Sequence, residues 1–362
     1  MKKIKVNLGA RSYDILIGAG GLDKLAGELK KLKLGKVALV LTNPTINQLY
    51  GSKVKEALGS GEWEVHFSQV PDSEESKSMA VCMDLIAQLA DLDRGKGVFV
   101  LALGGGVVGD LAGFAASIYR RGVPCIQIPT TLLAQVDSAI GGKTALDLPA
   151  GKNLIGSFYQ PRLVLSDLRF LGSLEEKQIR SALAEIIKYA IIADKQLFQF
   201  LEKNLEEIFA LRPEKLERIV EVCSRIKAKV VERDETDQKE ERMILNFGHT
   251  IGHALEAAAA YSPDYSHGYA IALGMLVAAE IAKELKMLSP TALAQIEKLI
   301  QRAGLPTKIS GLKLEDILRA QSHDKKFSEG RNRFVLPVGI GKVVVKTDIP
   351  EGIVAKAIQS RM

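Results

Sequence analysis

Val98-Phe99-Val100-Leu101-Ala102-Leu103-Gly104-Gly105-Gly106-Val107-Val108-Gly109-Asp110 passes from an apolar run into three glycines, and then into an apolar helical pattern through Ala116. A short apolar run that ends in glycine ahead of a helix reads as a buried strand, a tight turn and a helix N-terminus. Backbone N–H groups at such a helix end can approach a pyrophosphate. The spacing is not G-x-G-x-x-G, so a tight turn without a ligand is the alternative. Around this segment, β-branched runs at 37–41, 63–67, 125–128 and 163–165 alternate with helical patterns, which implies a parallel sheet wrapped by helices. Residues 4–8 and 13–17, separated by Gly9-Ala10-Arg11, predict an antiparallel hairpin beside that sheet. From Leu174 onward amphipathic helices take over, for example at 175–193 and 213–233, and strand character returns only at 334–338 and 342–345. The expected fold is α/β plus all-α, with a Rossmann-like, mainly parallel domain over 1–170 and a helical domain over 171–362.

A chain of 362 residues with 47% hydrophobic content is long enough for two cores. The net charge of +6 comes from 49 basic and 43 acidic residues spread along the chain, with no basic run interleaved with aromatics, so nucleic acid is not an expected partner. A basic surplus gathered in a cleft would suit an anionic substrate. Cys82, Cys125 and Cys223 show no C-x-x-C spacing, which argues against a disulfide framework or a cysteine metal site and for a reducing, cytoplasmic setting. Residues 1–8 alternate apolar and polar as a strand does and lack the apolar core of a signal peptide. The run 269–282 is too short to span a bilayer, so no membrane segment is expected.

Three of the five histidines fall in Asn246-Phe247-Gly248-His249-Thr250-Ile251-Gly252-His253 and His267-Gly268. On a helix beginning near Gly248, His249 and His253 stand at i and i+4 and share a face, where neutral imidazoles suit a divalent metal. His267 lies beyond the turn signal Ser262-Pro263-Asp264 and can fold back toward them. A carboxylate ligand is sought in Ala184-Glu185-Ile186-Ile187-Lys188, because an acid among Ala and Ile is usually paired or metal-bound. An ion pair from Glu185 to Lys188 is the plainer alternative, and the weaker one because it buries both charges. Asp137, Lys143, Lys152 and Asn153 lie in a glycine-punctuated stretch read as a long loop, a setting in which lysines often bind phosphate. Asp72-Ser73-Glu74-Glu75-Ser76-Lys77 and Thr130-Thr131 offer ligand contacts or plain helix caps.

These residues together resemble the dehydroquinate synthase family and, more broadly, the sugar phosphate cyclases. The resemblance covers most of the chain. Beyond the motifs quoted above it runs through Leu111-Ala112-Gly113-Phe114, Arg121-Gly122, Pro129-Thr130-Thr131-Leu132-Leu133-Ala134-Gln135-Val136-Asp137-Ser138, Gly141-Gly142-Lys143, Gly151-Lys152-Asn153-Leu154-Ile155-Gly156, Lys227-Ala228-Lys229-Val230-Val231 and Asp324-Lys325-Lys326. The family implies that Glu185, His249 and His267 hold zinc or cobalt, and that His253 is an acid/base group instead of a ligand. It implies NAD+ contacts at Asn43, Asp72, Glu74, Lys77, Gly105, Gly106, Val107, Asp110, Thr130, Thr131, Lys143, Lys152, Phe170 and Ser173. A phosphorylated seven-carbon sugar acid would meet Lys143, Asn153, Asn246 and Lys325 through its phosphate, with Arg121 reaching across from the second subunit of a homodimer. Lys227 and Arg242 would take the carboxylate, while Asp137, Lys152 and Lys188 would line the hydroxyl-bearing side with catalytic roles.

The implied reaction converts 3-deoxy-D-arabino-heptulosonate 7-phosphate into 3-dehydroquinate and phosphate, a carbon–oxygen lyase step of the shikimate pathway toward chorismate and aromatic amino acids. NAD+ oxidises the C5 hydroxyl, phosphate leaves as the C6 proton is removed, hydride returns, and the opened ring closes by an aldol addition. Ser73, Ala139, Gln178, Ala182 and Tyr269 depart from residues frequent in the family, and none of them removes a ligand or phosphate group named above. Other sugar phosphate cyclases have no carboxylate to bind, and Asn246, Arg242 and His253 together favour the heptulosonate reaction over theirs. A glycerol-dehydrogenase-like oxidoreductase would release NADH; Lys143, Lys152, Asn153 and Lys325 argue against that alternative.

Overall fold

The computed structural model describes residues 1–59, 63–149, 151–322 and 332–362. Its contacts divide the chain into two units, Met1–Leu174 with Pro213–Thr236, and Glu175–Arg212 with Asp237–Met362. The first break falls after Leu174. The helix Pro213–Arg233, assigned by pattern to the helical half, instead packs with the first unit, where Asn7 donates its backbone N–H to Glu232 Oε1 at 2.7 Å.

The first unit is built on strands β1 (Lys2–Val6), β2 (Tyr13–Gly18), β3 (Val37–Thr42), β4 (Glu64–Gln69), β5 (Val98–Gly104), β6 (Cys125–Pro129), β7 (Lys143–Leu148), β8 (Gly151–Phe158) and β9 (Leu163–Asp167). Seven of them form one sheet in the order β1-β2-β9-β6-β5-β3-β4, parallel throughout except for the antiparallel β1–β2 pair. Every residue of β3, β5 and β6 is buried, as strands covered on both faces require. Alternate residues serve opposite layers: Leu39, Val100 and Ala102 pack with Leu85, Leu89 and Leu111, while Val40, Leu101 and Ile126 pack with Leu25, Leu29 and Val54. Each such buried Leu or Val contributes about 1.5–3 kcal/mol. β1 runs Lys2–Val6 with Ile4 opposite Ile15, two residues earlier than the pattern implied, because Gly9–Arg11 form a 3-10 turn that ends the pairing at Val6.

Strand order locates a ligand edge. From β3 the chain steps outward to β4 and then returns to the other side of β3 as β5, so the direction of winding reverses between β3 and β5. In open parallel sheets ligands bind beyond the carboxyl ends of the strands at such a reversal. Asn43 follows β3 there, and Gly105 follows β5.

The stretch from Lys143 to Phe158, read as a long loop, is mostly a two-stranded antiparallel ribbon of β7 and β8 with Lys143 opposite Phe158. Glycines disguised it. Gly113 in the Gly106–Ile118 helix is where Thr144 of β7 packs directly on the helix backbone, and a Cβ there would collide with the threonine methyl.

The second unit contains the helices Glu176–Ala193, Lys195–Phe209, His249–Ala258, His267–Glu284, Pro290–Arg302, Leu314–Ser322 and Glu351–Gln359, with a hairpin of β10 (Arg333–Gly339) and β11 (Lys342–Thr347). His267–Glu284 is its core helix, buried at nearly every position from Gly268 to Ala282, which explains the long apolar run there. Among the described residues no helix is long and apolar enough to cross a membrane.

Candidate functional site

At the carboxyl edge of the first unit's sheet, the Gly106–Ile118 helix begins with Gly105 as its N-cap, which supplies no side-chain hydrogen bond to the first amides. The donors of that turn are therefore open to an anion. Side chains at Gly104 and Gly105 would crowd the turn: a Cβ would lie 2.7 Å from Val108 Cβ in one case and 3.2 Å from Thr131 Cγ2 in the other. The two threonines separate in role. Thr131 Oγ1 accepts the Ala134 N–H at 3.2 Å as a cap. Thr130 Oγ1, by contrast, is buried with no hydrogen-bond partner, as is Thr42 Oγ1 at the end of β3. Buried hydroxyls left in this state at a ligand edge fit a polar group that arrives with the ligand. Asn43 is 2% exposed and its Oδ1 accepts the Ile46 N–H at 2.8 Å. Phe170 packs edge-on against Tyr50 with centroids 4.7 Å apart, and the Tyr50 hydroxyl donates to Ser173 Oγ at 2.9 Å.

Lys77 gathers a second set of expected contacts. Its side chain is only 4% exposed, with Nζ 3.0 Å from Asp110 Oδ2, 3.3 Å from Glu74 Oε1 and 3.8 Å from Asp147 Oδ1. Lys77 also donates to Asn153 Oδ1, and Lys152 lies 3.7 Å from Glu74 Oε2. Asn153 stands in the left-handed region at φ 55°, where its N–H donates to Asp147 Oδ1 at 2.7 Å. Burial opposes the Lys77 charge, but Asp110 and Glu74 outweigh it and hold the pKa above the ordinary lysine value. Burial acts the other way on Asp110, which is pushed up to about 6 although Lys77 pulls it down. Glu74 thus belongs to an ion network and is more than a favourable acid in a first turn; the cap of the following helix is Ser78, whose Oγ accepts the Val81 N–H at 3.3 Å. Asp72 is exposed ahead of this turn, and Val107 is half-buried in the first turn of the Gly106–Ile118 helix.

Lys227 is buried in the same unit and donates to the Asp137 carbonyl at 2.7 Å and to its Oδ1 at 2.5 Å. Lys143 is exposed at the start of β7. Arg121 is exposed at φ 64° in the turn Tyr119–Arg121, which is anchored by Arg120 Nε on the buried Asp93 at 2.8 Å. In the second unit, Arg242 is buried and Asn246 half-buried on the turn Glu241–Asn246. Lys325 lies outside the described residues.

The three expected metal ligands meet in the second unit. Glu185 is 1% exposed on the Glu176–Ala193 helix, and its Oε1 is 3.7 Å from both His249 Nε2 and His267 Nε2. The ligand atoms of this trio lie within 4.8 Å of one another, close enough to hold one metal ion. Glu185 also pairs with Lys188, itself 2% exposed, so the ion pair weighed as the lesser alternative does form. It leaves Glu185 Oε1 buried with no hydrogen-bond partner, a costly state that a cation between the histidines relieves. Both rings present Nε2 to the carboxylate because Nδ1 is engaged elsewhere, 3.2 Å from the Phe247 carbonyl for His249 and 3.2 Å from Glu256 Oε1 for His267. Engagement of the second ring nitrogen is what orients histidines that bind metals. Burial opposes a charge on His267, but Glu256 and Glu185 outweigh it and raise its pKa.

Two glycines make the meeting possible. Gly248 caps the His249–Ala258 helix at φ 81°, where a Cβ would sit 2.7 Å from Met275 Cγ and 2.9 Å from the Ile271 carbonyl. Gly268 lies directly on the backbone of Ser181, one turn before Glu185, and this brings His267 to the carboxylate. His253 is exposed on the same helix face as His249, their ring centroids 5.3 Å apart, but it falls outside the Glu185 trio. It belongs instead to a second group with Glu256 and His267. Glu256 was not singled out from the sequence, although its spacing of seven from His249 puts it on the same stripe.

Residues 67–181 match the family profile described as 3-dehydroquinate synthase N-terminal, and residues 182–327 match 3-dehydroquinate synthase C-terminal. A 3-dehydroquinate synthase of Desulforamulus reducens is 45% identical over 352 residues, covering 97% of this chain and 98% of the relative. Among solved structures, 2-deoxy-scyllo-inosose synthase complexed with carbaglucose-6-phosphate, NAD+ and Co2+ superposes with a TM-score of 0.90 at 25% identity, covering 100% of both chains. The 2-epi-5-epi-valiolone synthase of Streptomyces hygroscopicus subsp. jinggangensis, with NAD+ and Zn2+ bound, gives 0.87 at 26% identity over 99% of this chain and 97% of that one. With the two profiles matched in succession over residues 67–327 and the identity sustained over nearly the full length, the chain belongs to the 3-dehydroquinate synthase family.

Proposed function

We propose that the protein is a 3-dehydroquinate synthase, a lyase that converts 3-deoxy-D-arabino-heptulosonate 7-phosphate into 3-dehydroquinate and phosphate with NAD+ and a divalent metal. The observation that carries the reading is the buried Glu185 carboxylate, unsatisfied at Oε1 and faced by two histidines whose other nitrogens are engaged. Identity favours this substrate within the wider group, at 45% to a relative bearing that name against 25% to the inosose synthase. When bound, NAD+ takes up and returns a hydride at C5, and zinc or cobalt polarises the oxygen there.

The residues divide the remaining work. Glu185, His249 and His267 hold the metal. The open helix N-terminus at Gly106 receives the pyrophosphate, while Glu74, Lys77, Asp110 and Thr130 give polar contacts to the nucleotide. Lys143, Asn153, Asn246 and Lys325 hold the phosphate and orient it as a leaving group. Lys227 and Arg242 receive the carboxylate, and Asp137, Lys152 and Lys188 address the hydroxyls. His253, exposed and outside the metal trio, moves a proton at its imidazole. We take the working form to be a homodimer in which Arg121 reaches the partner's phosphate site, in keeping with its exposed position on an anchored turn. The cytoplasm is the expected compartment.

A phosphate-release assay tests the proposal. Protein loaded with zinc and NAD+ should release phosphate from the heptulosonate phosphate without accumulating NADH, and chelation should stop it. No release from the loaded protein, or faster release from glucose 6-phosphate, would overturn the assignment.

A further inference from the structure

We propose that Glu256 is a positioning residue for the metal, a role that rests on Glu185, His249 and His267 being its ligands. Glu256 Oε1 lies 3.2 Å from His267 Nδ1. A neutral imidazole carries one N–H and one bare nitrogen, so an acceptor at Nδ1 draws the proton there and leaves Nε2 bare. That Nε2 is the nitrogen 3.7 Å from Glu185. His249 is oriented in the same sense by the Phe247 carbonyl. The two histidines differ in what stands behind them. A carboxylate raises the basicity of an imidazole ligand more than a neutral carbonyl does, and at 12% side-chain exposure the Glu256 charge is little screened.

Glu256 and His249 both belong to the His249–Ala258 helix, seven residues apart and hence on one stripe. A single rigid element therefore carries one ligand and the group that orients another. His267, at 39% side-chain exposure, is the most open of the three ligands and so depends most on a fixed partner. A competing use of the same carboxylate exists, since His253, Glu256 and His267 form a group able to hold a metal of their own.

The test is zinc affinity, measured on the full-length protein by chelator competition and independently of turnover. Glu256→Ala should weaken zinc binding by roughly 10–100-fold, the usual cost of losing such a partner. Glu256→Gln keeps an acceptor without the charge and should fall between wild type and Glu256→Ala. Ring nitrogen NMR of the apo protein should show His267 shifting toward its other tautomer in Glu256→Ala, which loss of packing alone would not produce. Wild-type zinc affinity in a folded Glu256→Ala protein would overturn the proposal while leaving the ligand trio intact. A second zinc per chain in wild type, lost in Glu256→Ala with the first unaffected, would overturn it in favour of Glu256 as a ligand. Unchanged zinc binding in His267→Ala would instead remove the ligand reading beneath it.

Discussion

Lys77 in the sheet unit and Glu185 in the helical unit are both deeply buried charges, and they are neutralised in opposite ways. Lys77 is surrounded by Glu74, Asp110, Asp147 and Asn153, so its charge is more than answered from within the chain. Glu185 has one lysine, and the atom that faces two imidazoles has no hydrogen-bond partner. The lysine cluster is charge-balanced within the chain before any ligand arrives. The glutamate cluster keeps an unsatisfied buried oxygen, which we propose a cation fills.

The contrast predicts unequal responses to substitution. Glu185→Ala should show the largest effect, since Lys188 would be left buried at 2% exposure without its carboxylate. Breaking a buried pair from one side costs about 3–5 kcal/mol, measurable by urea unfolding of the apo protein. A change below 1 kcal/mol would mean that the helical cluster is as self-sufficient as the one around Lys77.

Asp110 gives the next effect. Burial moves its pKa from 3.8 to about 6, so the folded protein holds that proton more tightly than the unfolded chain does. An acid raised in this way costs stability once ionised. Its contribution is best below about pH 4, falls between pH 4 and 6, and stays flat above, by at most about 3 kcal/mol at roughly 1.4 kcal/mol per pKa unit. Asp110→Asn should lack that slope, so that in the absence of NAD+ the difference between the wild-type and variant stability–pH curves changes between pH 4 and 6 and is flat outside that range. Parallel curves would show that Lys77 fully compensates the burial.

Gly248→Ala should have a smaller effect, about 2 kcal/mol, from a left-handed backbone and a Cβ 2.7 Å from Met275. Because Gly248 sets the entry of the His249 helix, zinc affinity should fall with it, whereas phosphate-site residues of the sheet unit should be unaffected. Thermal unfolding with and without zinc separates the two contributions.

Much of the architecture was legible because buried strands and amphipathic helices leave periodic signatures. β3, β5, β6 and the helix Pro213–Arg233 lie within a residue of their expected bounds. The β7–β8 ribbon was not, because β8 has no buried residue and the buried face of β7 pairs polar Thr144 with Leu146, so neither strand shows an apolar alternation in sequence. Nor could periodicity reveal that the Pro213–Arg233 helix packs with the sheet unit, since amphipathicity reports a buried face and not its partner. In the cluster of Glu185, His249 and His267, the glutamate stood out as an acid in an apolar run. Glu256 did not, because a glutamate on a helix is usually solvated and only the fold brings it to His267.

The zinc content of purified protein in three forms tests the central claim most directly. Wild type and His253→Ala should each hold one zinc per chain, with turnover reduced only in the variant, while Glu185→Ala should hold none. Zinc retained in Glu185→Ala and lost in His253→Ala would contradict the account, and would return the metal to the His249–His253 helix face.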